Sequence, residues 1–243
     1  MNSLMIGKTR IEYEVRFSPR ARRQRIVVTP GKVEVIAPEG TPLKGLDSVH
    51  SFVASRKRWL YDSVKEVEKK QAKLQLQQYA SGAKIQYRGR WLMQDVQPAD
   101  IDQVRVDYRS KFHISVPRSI TEGDRPAAIR EALESWLKDK AGSDLQAFTR
   151  RHAKRLGVTP AGARLSDSKH SWGTCGKDDI IRVHWRLVQA PKVAFEYVVA
   201  HEVAHLVHRN HSPEFWQTLA RTMPGWEEAK ALLEGWEVEH RAV

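Results

Sequence analysis

Residues 194–206 read Ala-Phe-Glu-Tyr-Val-Val-Ala-His-Glu-Val-Ala-His-Leu, an apolar run that carries two histidines four positions apart and a glutamate beside the first. A helix apolar on most of its circumference is stable only when other elements cover it. At 3.6 residues per turn, His201 and His205 stand one above the other on one face, so their imidazoles can converge on a single ion. Glu202 lies about 100° around the helix, near enough to flank that ion without binding it. The rest of the chain must therefore bury this helix and still leave one strip of it accessible.

The residue types point to metal chemistry. A catalytic zinc takes three protein ligands and keeps a fourth position for water. It lowers the water pKa to about 7, and a neighbouring carboxylate can take the proton and pass it to a leaving amine. His208 continues the same helical face but lies about 10 Å along the axis from His201 at 1.5 Å per residue, too far for a tetrahedral corner. His211 is better placed. Asn210 tolerates the left-handed conformation that ends helices. Ser212-Pro213-Glu214 reads as N-cap, first-turn proline and dipole-matched acid of a new helix. Glu214, Glu227, Glu228 and Glu234 are carboxylate alternatives that lack such a corner. The expected site is one Zn2+ per chain on His201, His205 and His211, with Glu202 as general base for peptide hydrolysis. Cys175 offers a thiolate that zinc accepts, but without a partner motif it reads as a small buried residue. His170 and His184 read as structural for the same reason.

The strings His201-Glu202-Val203-Ala204-His205-Leu206 and Asn210-His211-Ser212-Pro213-Glu214-Phe215-Trp216 resemble the YgjP-like zinc metallopeptidases, relatives of the minigluzincins and of SprT-like proteases. Ser171-Trp172-Gly173-Thr174-Cys175, Trp185-Arg186-Leu187 and Arg20-Ala21-Arg22-Arg23 look like motifs of the same family, although Ser171 stands where arginine is more usual. The resemblance implies His201, His205 and His211 as ligands and Glu202 as general base. It also implies a helix packed behind the active-site helix and a β-strand beside the cleft. Part of 171–187 is expected to be that strand, pairing with a polypeptide substrate through main-chain hydrogen bonds.

A chain of 243 residues suffices for one large or two small domains. Its single cysteine excludes an intramolecular disulfide and fits a reducing compartment. The first ten residues carry no signal-peptide pattern, and no run of about 18 apolar residues exists, so a cytoplasmic protein without a membrane span is expected. The formal net charge is +12, and between Lys8 and Arg25 there are seven basic and two acidic residues. Arg20, Arg22, Arg23 and Arg25 could meet phosphates without regard to sequence, but a solvated turn or strand is the plainer reading. No stacking platform stands out. The alternatives to a metallopeptidase are a basic nucleic-acid-binding module, a DNA-associated protease of SprT-like type, and zinc-dependent hydrolysis of a non-peptide amide. Oligomeric state is not legible.

The expected fold is α+β. Residues 1–120 form an N-terminal β-rich part with a long helix; residues 121–243 form a zincin-like domain of backing helix, small sheet and active-site helix. Strands are expected over 10–17, 25–29, 32–37, 84–96, 103–108, 112–116 and 180–188. One or two helices span 43–78, with Val49, Phe52, Val53, Trp59, Leu60 and Val64 on an apolar stripe. A helix over 126–156 ends at Gly157, with Gly142-Ser143 as a point of kinking. Trp91 and Leu92 are expected in the core, and no internal repeat is visible.

Overall fold

In the computed structural model, which describes residues 2–39, 45–168 and 170–240, β2 (Thr9–Ser18), with alternating apolar and charged residues, pairs antiparallel with β1 (Asn2–Ile6). β3 (Arg25–Thr29) and β4 (Lys32–Pro38) form a second hairpin across Pro30-Gly31. β4 runs parallel to β2, giving the order β1-β2-β4-β3. Two helices follow, α1 (Gly45–Ser55) and α2 (Lys57–Gln78). The break at Arg56 shifts the phase of the apolar stripe. Val49, Val53 and Leu60 are fully buried against Ile11, Tyr13, Val33 and Val35, whereas Trp59 is 48% exposed. The polar end of α2 carries exposed Lys–Glu pairs, Lys65 with Glu68 and Lys70 with Glu66.

A second sheet comprises β5 (Lys84–Tyr87), β6 (Arg90–Ala99), β7 (Arg105–Tyr108) and β8 (Phe112–Pro117) in the order β5-β6-β8-β7. Its outer pairs are antiparallel and its central pair parallel, so it repeats the strand order and pairing senses of the first sheet. The expected strand 84–96 is in fact a hairpin. Arg88 (φ 51°) and Gly89 (φ 76°) are both left-handed, the requirement of the tight turn that matches strand twist. The turn is anchored where Arg88 N–H meets the Val188 carbonyl at 3.0 Å and Gly89 N–H that of Gln189 at 2.8 Å. The Arg88 guanidinium also grips both oxygens of Asp144 at 3.0 and 3.2 Å. Trp91 lies on the outward phase of β6 and is 60% exposed, against the expectation that it is core.

α3 (Arg125–Leu156) runs unbroken for 32 residues to a left-handed Gly157. Gly142-Ser143 does not interrupt it, and the Ser143 hydroxyl donates back to the Asp139 carbonyl at 2.9 Å. β9 (Gly162–Ser166), β10 (Gly173–Cys175) and β11 (Ile180–His184) form a small sheet ordered β10-β11-β9, with β10 on an edge. The last strand stops at His184, short of the expected 188, because His184 Nδ1 accepts the Arg186 N–H at 3.1 Å and starts a 3-10 turn, Trp185–Gln189. α4 (Lys192–Ala204), α5 (Pro213–Thr222) and α6 (Trp226–His240) complete the chain. The class is α+β, with six α-helices and three small sheets among the described residues.

The chain divides into compact units Met1–Gln77 and Gln78–Val243, not at 120/121. The reason is burial: Phe112, Ile114 and Val116 of β8 share one core with Ile129, Leu133 and Phe148 of α3 and Phe195, Val199 and Val203 of α4. The second sheet thus belongs with the helices that follow it. α3 backs α4, with the Phe148 and Phe195 rings edge to face at 5.8 Å.

A buried polar junction joins the same helices. His152 is fully buried, with Nδ1 2.9 Å from the Thr222 hydroxyl and Nε2 3.2 Å from Glu196 Oε1. A carboxylate only accepts, so Nε2 carries the proton in the neutral ring and Nδ1 accepts from Thr222. Burial holds this histidine below its ordinary 6.5, with Arg155 and Arg151 acting the same way and Glu196 opposing them. The unfolded chain binds a proton there below about 6.5 and the native chain does not, so the stability is complete above that pH and lost as pH falls below it. His152→Ala should lower the unfolding free energy by about 2–4 kcal/mol and flatten this acid limb. Urea denaturation across pH 5 to 8 measures both.

Candidate metal centre

The three histidines singled out from the sequence come together. Their ring centroids form a nearly equilateral triangle, 4.9 Å from His201 to His205, 4.9 Å from His201 to His211 and 4.8 Å from His205 to His211. One nitrogen from each lies within 4.8 Å of the others, and this is the single such group of three metal-ligating side chains among the described residues. Glu214, Glu227, Glu228, Glu234, His208 and Cys175 stand outside it.

Local structure explains the convergence. α4 ends at Ala204, and His205 is its C-cap, donating its N–H to the His201 carbonyl. Asn210 does not take the left-handed conformation expected of it; among the described non-glycine residues only Arg88 and Asp179 do. The corner is made by a tight turn over 205–207 and by Ser212, which sits in extended conformation at the N-cap of α5. The Ser212 hydroxyl does not cap the helix but donates to Glu214 at 2.6 Å. Phe215, fully buried in the first turn of α5, underlies the site with its ring 4.9, 4.6 and 4.8 Å from those of His201, His205 and His211. Trp216 stacks on Trp226, and Trp226 on Tyr197, so aromatic rings surround His201.

The protonation pattern suits a cation. His205 Nδ1 lies 2.9 Å from the His208 carbonyl; a carbonyl only accepts, so Nδ1 bears the hydrogen and Nε2 keeps its lone pair. Burial, with the His205, His211 and Lys230 charges, pushes His201 down to about 3, and burial also lowers His205. Both rings are therefore neutral donors at pH 7. The Nε2 atoms of His201 and His211 face each other at 2.9 Å. Nitrogens bound tetrahedrally to one zinc at 2.0–2.1 Å stand about 3.3 Å apart, so the His201–His211 pair is close to that spacing, and with all three donors within 4.8 Å the set can converge on one ion.

Glu202 is 6% exposed, one residue from His201 and pointing toward β10. Burial pushes it up to about 8, while the Cys175 backbone amide favours its charged form. Gly173 makes this approach feasible: a Cβ there would fall 2.6 Å from Glu202 Oε1 and 2.8 Å from its Cγ. Arg209 holds the β10–β11 turn in place, donating to the Gly176 carbonyl at 2.8 Å and pairing with Asp179. The Cys175 thiol is half-buried, 3.5 Å from Arg209, and is pushed up by burial. His184 packs its ring against Trp172 at 5.3 Å. Sequence reasoning did not single out Phe215, Gly173 or Arg209 as site residues. Gly173 and Phe215 fall inside the quoted strings, but Arg209 carries no signal in the sequence.

A family model described as "YgjP-like, metallopeptidase domain" matches residues 22–235. No curated protein matches the chain. The crystal structure of the metallopeptidase zymogen of Pyrococcus abyssi abylysin is similar over 39% of this chain and 93% of that one, at 22% identity and a TM-score of 0.35. No helix among the described residues is long and apolar enough to cross a membrane. With the family match running from the first sheet to the last helix, and including the histidine triangle, the chain belongs to the YgjP-like metallopeptidases.

Proposed function

We propose that this protein is a zinc endopeptidase in which His201, His205 and His211 hold one ion and Glu202 is the general base. The reading rests on one observation: three imidazoles meet in a triangle beside a buried carboxylate. Zinc, when bound, polarises a carbonyl and acidifies water. The protein's own groups do the remainder. The His208 carbonyl fixes the His205 tautomer, and Phe215 holds the three rings at a common separation. Burial alone favours the acid form of Glu202, and the charge of a cation held by the neighbouring histidines would favour the carboxylate instead. As the carboxylate, Glu202 receives the proton of the attacking water and delivers it to the leaving nitrogen. Its carboxylate is almost wholly buried, with Gly173 against it, so the proton has few other acceptors. β10 is an edge strand on the Glu202 side of α4, suited to pair with an extended polypeptide backbone. Such pairing recognises main chain and implies broad sequence tolerance.

The purified protein should contain close to one zinc per chain by elemental analysis, and casein cleavage should cease with a chelator and return with zinc. His205→Ala should lose both the zinc and the cleavage. Full zinc content in His205→Ala would overturn the ligand assignment.

A further inference from the structure

The first unit carries a hollow of about 560 Å³ lined by Arg23, Arg25, Ile26, Phe52, Arg56 and Trp59. We propose that this hollow binds single-stranded nucleic acid, with a base stacked on Trp59 and neighbouring phosphates held by Arg23, Arg25 and Arg56.

Charge gives the first argument. Three guanidiniums line the hollow, and no described Asp or Glu does. Elsewhere in the same unit several basic groups have acidic partners: Arg10 has Glu12, Arg16 has Glu34 at 3.3 Å and Lys32 has Glu14 at 2.8 Å. Arg23 and Arg25 come from the end of the β2–β3 connection and the start of β3, and Arg56 from the break between the helices. Residues far apart in sequence thus gather positive charge without a described carboxylate to offset it. Planar guanidiniums match phosphate oxygens in pairs.

The aromatic groups give the second. The helical stripe would bury Trp59 with Val53 and Leu60, which are fully buried, yet the break at Arg56 turns the indole outward to 48% exposure. Phe52, half-buried beside it, has the Arg56 guanidinium 6.0 Å from its ring centre. An exposed indole on the rim of an arginine-lined hollow offers stacking and phosphate contact together, the pairing by which sequence-tolerant sites hold unpaired strands. A duplex keeps its bases inside the stack and leaves the indole without a partner. An acidic peptide satisfies the arginines but not the ring.

The hollow lies within the unit Met1–Gln77 and the histidine triangle within Gln78–Val243, so the two can be tested separately. Anisotropy of a short fluorescein-labelled oligothymidylate, titrated with the full-length protein, measures binding. Trp59→Ala should weaken it by about 5- to 100-fold and Trp59→Phe much less. Replacing Arg23, Arg25 and Arg56 together by Ala should lower the salt slope by about 2. Circular dichroism melting and casein cleavage should not change with Trp59→Ala. The proposal fails if Trp59→Ala binds as the parent does, if a duplex of equal length binds more tightly, or if polyglutamate of equal charge competes as well as the oligothymidylate.

Discussion

Glu202→Gln should lower peptide hydrolysis by about 10²- to 10⁴-fold while leaving zinc content near one ion per chain. The amide has the shape of the carboxylate, so it fits the space that the absent side chain of Gly173 leaves. It cannot take a proton from water. Loss of activity through unfolding is not expected, because burial already disfavours the charged side chain there, pushing Glu202 up to about 8. A neutral amide costs the fold no more than the carboxylate does. The ligands themselves are unchanged: the His208 carbonyl still orients His205 and the Phe215 ring still underlies all three imidazoles. Steady-state cleavage of a quenched fluorescent peptide, with zinc measured on the same preparation, separates chemistry from metal loss. A variant that cleaves as fast as its parent, zinc intact, removes Glu202 from the reaction.

The histidine triangle could be read from the sequence because its geometry is local. A four-residue interval on one helix fixes two rings, and a proline-led helix start fixes where the chain must turn to bring the third. The features that escaped are set by packing between distant segments. Nothing in Gly173 announces that it faces Glu202, 29 residues on; its neighbours Trp172 and Thr174 suggest only a tight strand. Arg209 secures the β10–β11 turn by reaching a carbonyl and a carboxylate of another element, a contact with no periodic signature. The hairpin at Arg88-Gly89 was hidden because an arginine rarely takes φ > 0, and here Asp144 and the Val188 carbonyl hold it there. The domain boundary was misplaced for a related reason. β5 to β8 alternate like the strands of the first sheet, and only burial of Phe112, Ile114 and Val116 against α3 assigns them to the second unit. The shared strand order of the two sheets is likewise invisible in residues, since topology is preserved by pairing and not by side-chain identity.

Adding one methyl group at Gly173 should be almost as damaging to turnover as removing the base. In Gly173→Ala the new Cβ would lie 2.6 Å from Glu202 Oε1, 2.8 Å from its Cγ and 2.8 Å from Val198 Cγ1, distances that real Cβ atoms essentially never show. Something must move. Val198 is buried in α4, and β10 is held by its register with β11, Gly173 opposite Val183 and Cys175 opposite Ile181, and by the Arg209 contacts at the turn. The glutamate side chain is the softest member, so the carboxylate swings away, or β10 separates from α4. Either response moves the proton acceptor relative to the histidine triangle, and misplacement by about 1 Å costs on the order of 10²-fold in rate. Overpacking should also cost about 1–3 kcal/mol of stability. Gly142→Ala is the control: its Cβ would meet only Leu165 Cδ1, at 3.9 Å, inside α3, where alanine in place of glycine stabilises a helix by about 1 kcal/mol. Zinc content, urea midpoint and turnover measured on both variants decide the matter. A Gly173→Ala protein with zinc bound and its rate undiminished would mean that Glu202 does not depend on the closeness of β10. A rate that falls only as far as the folded fraction would reduce Gly173 to a packing residue.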